Sequence, residues 1–210
     1  MSYNNKLKKI QDLKKNIINI KLELLALSDN KEQLVRSDAI EALSGFYDGE
    51  IDRKILERLD DKKYLVRVSA LEAIMLPQNI NNVFNKIAKL LNDKNWLVRA
   101  YAIEALAYNN AKKYHSKIKK LLKQNKNDEV LVRIYYALIK FGERKYLKKL
   151  IKMLKHKNYR VRCATSNSLY YLADDTNIKL ILKKLKKALK VETTKAAQSC
   201  INGTILDLTS

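Results

Sequence analysis

Five Val-Arg pairs punctuate the chain at near-constant spacing: Val35-Arg36, Val66-Arg67, Val98-Arg99, Val132-Arg133 and Val161-Arg162. Successive arginines stand 31, 32, 34 and 29 residues apart. A period near thirty, with helical patterning inside each period, specifies stacked supersecondary units. No such unit can bury its apolar face alone, so neighbours share one continuous core. The chain has 210 residues but only four glycines and one proline, so few residues break helices. No alternating β-branched run asks for a strand.

Counted from each arginine, the apolar positions fall on one helical arc. Four residues on come Ile40, Leu71, Ile103 and Ala137; seven on come Leu43, Ile74, Leu106 and Leu169. Small residues recur three and six positions on, at Ala39/Ala42, Ala70/Ala73 and Ala102/Ala105. Each Val-Arg therefore opens an amphipathic helix whose alanines allow close approach. A second apolar helix precedes it, as in Ile55-Leu56-Leu59 or Ile118-Leu121-Leu122. Polar turns such as Asp60-Asp61-Lys62 and His156-Lys157-Asn158 join the two and supply N-caps. Trp96 shares its slot, three residues before the arginine, with Tyr64 and Tyr159, which marks it as a packing position.

This pattern resembles the HEAT family, in its HEAT-like or PBS-lyase-type form. The motif residues are the turn Asp61 or Asp93, then Val66-Arg67 or Val98-Arg99, then Ala70-Leu71 and Ala102-Ile103. The resemblance implies an all-α, right-handed α-α superhelix forming one domain over 1–210. Its six helix pairs cover about 5–47, 50–77, 80–109, 111–142, 143–173 and 175–206. It also implies a ladder of turn aspartates and helix arginines, expected at Asp61/Arg67 and Asp93/Arg99. The sixth pair is degenerate, with Lys195 standing where the arginine would be. In such stacks the first helix of each pair usually lines the convex side and the second the concave side.

The charge is unevenly placed. Residues 111–210 hold 25 Lys+Arg against 7 Asp+Glu, within a chain of net charge +21. The excess lies on first helices, where Lys148, Lys152, Lys155, Lys183, Lys187 and Lys190 form ribbons suited to nucleic acid or another polyanion. The second helices show the opposite sign. Five residues past the arginines stand Glu41, Glu72 and Glu104, roughly 140° round the helix and away from the apolar arc. Asp38, Tyr101, Tyr108 and Tyr135 occupy neighbouring slots. The expected site is thus an acidic, tyrosine-bearing concave groove for a basic protein partner, as an adaptor, a regulator or a toxin-immunity protein would present. The alternative is nucleic-acid binding through the lysines, in the manner of the HEAT-like alkylpurine DNA glycosylases.

No phosphate loop, His-Glu pair or nucleophile elbow is present, so neither catalytic residues nor a metal or cofactor is expected. Phycobilin lyases share the repeat type, but repeat type alone carries no activity. Cys163 and Cys200 fall in helices of different repeats and do not indicate a disulfide framework. With no signal-like or membrane-spanning run, the expected location is cytoplasmic.

Overall fold

The computed structural model describes residues 3–46, 48–74 and 83–210. Residue 47 and the junction between the second and third repeats, including Pro77, lie outside them. Among the described residues the fold is all-α, with twelve α-helices and no strand. They divide into two compact units, residues 1–86 and 87–210.

In the first unit, α1 (Tyr3–Leu27) and α2 (Gln33–Leu43) form one pair, and α3 (Gly49–Arg58) and α4 (Tyr64–Ile74) the next. The core is the arc expected from the repeat: Ile40 and Leu43 on α2, Ile51 and Ile55 on α3, Val66, Ala70 and Leu71 on α4, all fully buried. Burying such side chains is worth roughly 1.5–3 kcal/mol each. Small residues let α2 and α4 approach until the hydroxyls of Ser37 and Ser69 lie 2.7 Å apart. Helix α5 (Val83–Lys89) runs through the boundary between the units.

The second unit holds α6 (Trp96–Tyr108), α7 (His115–Gln124), α8 (Asp128–Lys140), α9 (Leu147–Lys152), α10 (Tyr159–Tyr170), α11 (Ile178–Leu189) and α12 (Lys195–Asp207). The second helices α6, α8, α10 and α12 pack in sequence, with α7, α9 and α11 beside them. Asn95, Asn127 and Asn158 cap α6, α8 and α10, each accepting from a backbone N–H in the first turn. Helices α6 and α8 end alike, with Asn110 (φ 50°) and Gly142 (φ 107°) in the left-handed region. There the next residue's N–H reaches back to Leu106 O and Leu138 O respectively.

The repeat arginines wire each turn to its own helix. Nη1 of Arg36, Arg67, Arg99 and Arg162 donates to the carbonyl six residues back, at 2.6–2.8 Å. The ladder then runs forward. Asp61 receives a two-pronged bond from Arg36 of the preceding repeat, at 2.9 and 3.0 Å. Arg67, expected as the Asp61 side-chain partner, binds its backbone carbonyl instead. The physical reason is reach: the guanidinium fork spans to the next turn while its other nitrogen closes its own.

The sixth pair also differs from expectation. Helix α10 starts three residues before Arg162, and the same offset from the start of α12 puts Gln198, not Lys195, in the arginine slot. Gln198 Nε2 donates to Glu192 O at 2.7 Å, reproducing the bond to the residue six back. Glu192 takes the turn-acid role and receives Arg162 at 2.5 and 2.6 Å. Its carboxylate also accepts the N–H groups of Thr193 and Thr194. These bonds, Arg162 foremost, hold Glu192 well below the usual carboxylate range, at about 2.

Candidate functional site

In the first unit the predicted acids lie on two packed second helices. Asp38 and Glu41 are exposed on α2, and Glu72 on α4. The other acids of this unit are largely engaged. Asp29 pairs with Lys54 and Arg58, Asp48 and Glu50 with Lys21, Asp61 with Arg36, and Asp60 with Lys86. No cation lies within ion-pair distance of Asp38 or Glu41 among the described residues. Their carboxylates face solvent because the slots two and five past the arginine point away from the arc formed by Ala39, Ile40 and Leu43.

In the second unit the equivalent face is aromatic and not acidic. Glu104 forms an ion pair with Arg133 Nε at 2.8 Å, and both side chains are less than a fifth exposed. The slot rule correctly directs Glu104 off its own core, but the arginine of the next helix reaches across and neutralises it. Tyr101 is half-buried on α6 and Tyr108 exposed at its end. Tyr135 is half-buried on α8 and stacks on Tyr146, with ring centres 5.6 Å apart. Between them Tyr136 is buried; its hydroxyl is pushed up first by burial and then by the Glu104 carboxylate. Tyr170 and Tyr171, exposed at the end of α10 and set edge to face, extend this face. They occupy the slots eight and nine past Arg162, the latter matching Tyr108 after Arg99, a correspondence the expected site left out. Trp96 is half-buried at the first residue of α6. Tyr64 and Tyr159 in the same slot are exposed, so that slot sits at the rim of the stack and not in its core.

The lysine ribbons are on the first helices. Lys148, Lys152 and Lys155 in and just after α9, and Lys183, Lys187 and Lys190 on and after α11, are all exposed. Three basic side chains converge on Glu143 in the turn before α9: Lys119 at 2.9 Å, Lys145 at 3.0 Å and the His115 ring at 2.6 Å. Lys119 foremost, with Lys145 and His115, holds the Glu143 carboxyl at about 2. Lys113 and Lys117 lie over the Tyr114 ring, and Lys145 and Lys149 over Tyr146, at 5.1–5.8 Å. A cleft of about 670 Å³ between α9 and α11 has an apolar floor of Ile151, Leu154 and Ala188 and a rim of Lys152, Lys155, Lys184 and Lys187. It gathers three of the six expected lysines and adds Lys184.

Among the described residues no three His, Cys, Asp or Glu side chains are grouped to hold a metal. No described helix is long and apolar enough to cross a membrane.

Residues 84–169 match the family model for HEAT repeats. A solved complex of CpcE and CpcF of phycocyanin lyase from Nostoc sp. PCC7120 contains a chain with a similar fold. Its TM-score is 0.63 at 17% identity, over 88% of this chain and 80% of that one. An engineered protein aligns at TM-score 0.47 and 18% identity, over 90% and 98% of the two chains. A designed armadillo repeat protein aligns at 0.37 and 18%, over 89% and 98%. No curated protein matches the chain.

Proposed function

We propose that this chain, a HEAT-repeat protein whose residues 84–169 match the repeat model, is a non-enzymatic scaffold that binds a protein partner through its second helices. The observation that carries the reading is the solvent-facing acidic cluster on α2 and α4, formed by Asp38, Glu41 and Glu72. Asp38 and Glu41 carry no ion pair among the described residues, so their charges are not spent on the fold. In a chain of net charge +21, acids left exposed on one face suit a segment rich in lysine or arginine. On the second unit, Tyr101, Tyr108 and Tyr135, with Tyr170 and Tyr171, offer rigid amphipathic contacts of the kind enriched at binding surfaces. Glu104 belongs to the scaffold in this reading, because its charge is spent on Arg133. A stoichiometric binder of this sort acts as an adaptor or as an immunity protein. The neighbouring CpcE–CpcF structure is itself a complex of two proteins.

The test is a titration of the full chain with a fluorescent arginine-rich peptide at physiological salt. Binding is expected despite the overall positive charge. It should weaken at least about tenfold when Asp38, Glu41 and Glu72 are all changed to lysine, with helicity and melting unchanged; three lost charge contacts account for that. Equal binding by the reversed variant rejects the acidic face.

A second reading rests on the lysine face of α7, α9 and α11 and its cleft. It predicts binding to nucleic acid whose affinity falls steeply with salt, with a slope set by the number of phosphates neutralised. Titration of a short duplex and a single strand at two salt concentrations separates the two readings. Changing Lys152, Lys155, Lys183 and Lys187 to glutamate should abolish that binding.

A further inference from the structure

Helix α1 is far longer than its counterparts. It has 25 residues, about 38 Å at 1.5 Å per residue, whereas α3, α7 and α11 have 10, 10 and 12. From residue 8 onward, burial by the rest of the unit is confined to the end of the helix. Lys21, Leu24 and Leu27 are half-buried and Leu25 and Ser28 buried, while every residue from 8 to 20 is exposed. In proteins most helical stability comes from packing an apolar face, so an overhang with none of its residues from 8 to 20 packed asks for a covering surface.

The overhang carries a seam. Ile10, Leu13, Ile17, Ile20, Leu24 and Leu27 follow the alternating three-and-four spacing of a heptad without a break. The first four are 47%, 52%, 53% and 50% exposed. The last two belong to the face that packs within the unit. The seam is therefore the core face of α1 continued beyond the reach of its own partners. It is narrow: the four exposed side chains span roughly 80° of the helix, the width of a coiled-coil contact and less than an apolar arc laid on a lipid surface. Ile18 and Leu22 lie off it, beyond Lys14 and Lys21.

Charge selects the occupant. Lys9 and Lys14 flank the seam at the positions that face a partner's flanks, and Lys8 and Lys15 lie further out. Asp12 is the one acid among residues 8–20. Lys21 flanks it too but is committed to Asp48 and Glu50, at 2.7 and 3.1 Å. A second copy would set Lys9 against Lys14 in parallel pairing; antiparallel pairing would set Lys14 against Lys14, with Glu23 relieving only the Lys9 flank, so each arrangement opposes lysine to lysine on at least one flank. We propose that the overhanging half of α1 docks an amphipathic partner helix with an apolar heptad seam flanked by Asp and Glu, forming a heterotypic coiled coil. This surface is separate from the acidic face of α2 and α4, and either can fail without the other.

The experiment titrates the full chain with two designed peptides of about three heptads, alike at the apolar positions. One carries glutamate on both flanks and the other lysine. The glutamate peptide should bind at least about tenfold tighter than the lysine peptide. Ile17→Lys should abolish binding and leave the melting temperature unchanged, because Ile17 is exposed. Reversal of Lys148, Lys152, Lys183 and Lys187 to glutamate should leave it intact. Equal binding of the two peptides, no binding of either, or loss on the lysine reversal in place of Ile17→Lys overturns the proposal. So does a dimer of the chain alone that Ile17→Lys dissociates, which would make a second copy the occupant. Partition onto phosphatidylserine vesicles without peptide binding would assign the seam to lipid and also overturn it.

Discussion

Changing Glu192 to glutamine strips the charge from one of the two best-buried ion pairs among the described residues, the other being Arg36–Asp61, while keeping the shape of the side chain. Glu192 is 4% exposed and Arg162 13%, and the two make paired bonds at 2.5 and 2.6 Å. The folded carboxyl titrates at about 2 instead of its ordinary 4.5. At about 1.4 kcal/mol per pH unit, that shift corresponds to a ceiling of about 3 kcal/mol at neutral pH. Glutamine keeps one acceptor oxygen but turns an amide donor towards Arg162, so a loss of about 2–3 kcal/mol is expected. For a chain of this size that lowers Tm by about 4–12 °C. The pH dependence fixes the cause. The folded pKa lies below the unfolded one, so the stabilisation is fully present above about pH 5. It is lost as pH falls through the range from 4.5 towards 2. Urea unfolding followed by circular dichroism at a series of pH values should show the gap between parent and variant closing over that window. A gap below about 0.5 kcal/mol at pH 7, or one that persists undiminished at pH 2, would refute the reasoning.

Gln198→Ala removes the bond to Glu192 O and should cost about 1 kcal/mol in the same unfolding assay, whereas Lys195→Ala should cost almost nothing. Gly142→Ala should destabilise by about 1 kcal/mol; a Cβ there meets nothing within 4 Å, so the cost is the positive φ alone. Burial first, with Cys200 beside it, pushes the Cys163 thiol up to about 12. Iodoacetamide at pH 8 should therefore label Cys163 at least about tenfold more slowly than an ordinary thiol, by peptide mapping, and labelling at the ordinary rate would contradict that environment.

The Val-Arg period makes most of the architecture legible. It locates the second helices, their alanine-lined arcs and the turn residues that cap them, because each is fixed by local helical geometry. It fails where long side chains or loop length intervene. Glu104 points off its own helix as the slot rule requires, yet an arginine on the next helix consumes it. Counting one period past Arg162 lands on Lys195, whereas α11 and its turn are longer and shift the slot to Gln198. The seam on α1 is plain in the heptad spacing but lies upstream of Arg36, where a ruler of arginines does not reach. Asp38 and Glu41 are exposed where their slots place them, since no neighbour competes for them.

The central claim, that the acidic second-helix face of the first unit holds a basic protein segment, is tested most directly by photo-crosslinking. An arginine-rich peptide bearing a benzophenone is bound to the full chain, irradiated, and its attachment sites mapped by mass spectrometry. Crosslinks within 33–43 and 64–74, lost when Asp38, Glu41 and Glu72 are changed to lysine, are the result expected. Crosslinks confined to other helices, or attachment that survives those changes, would contradict the account.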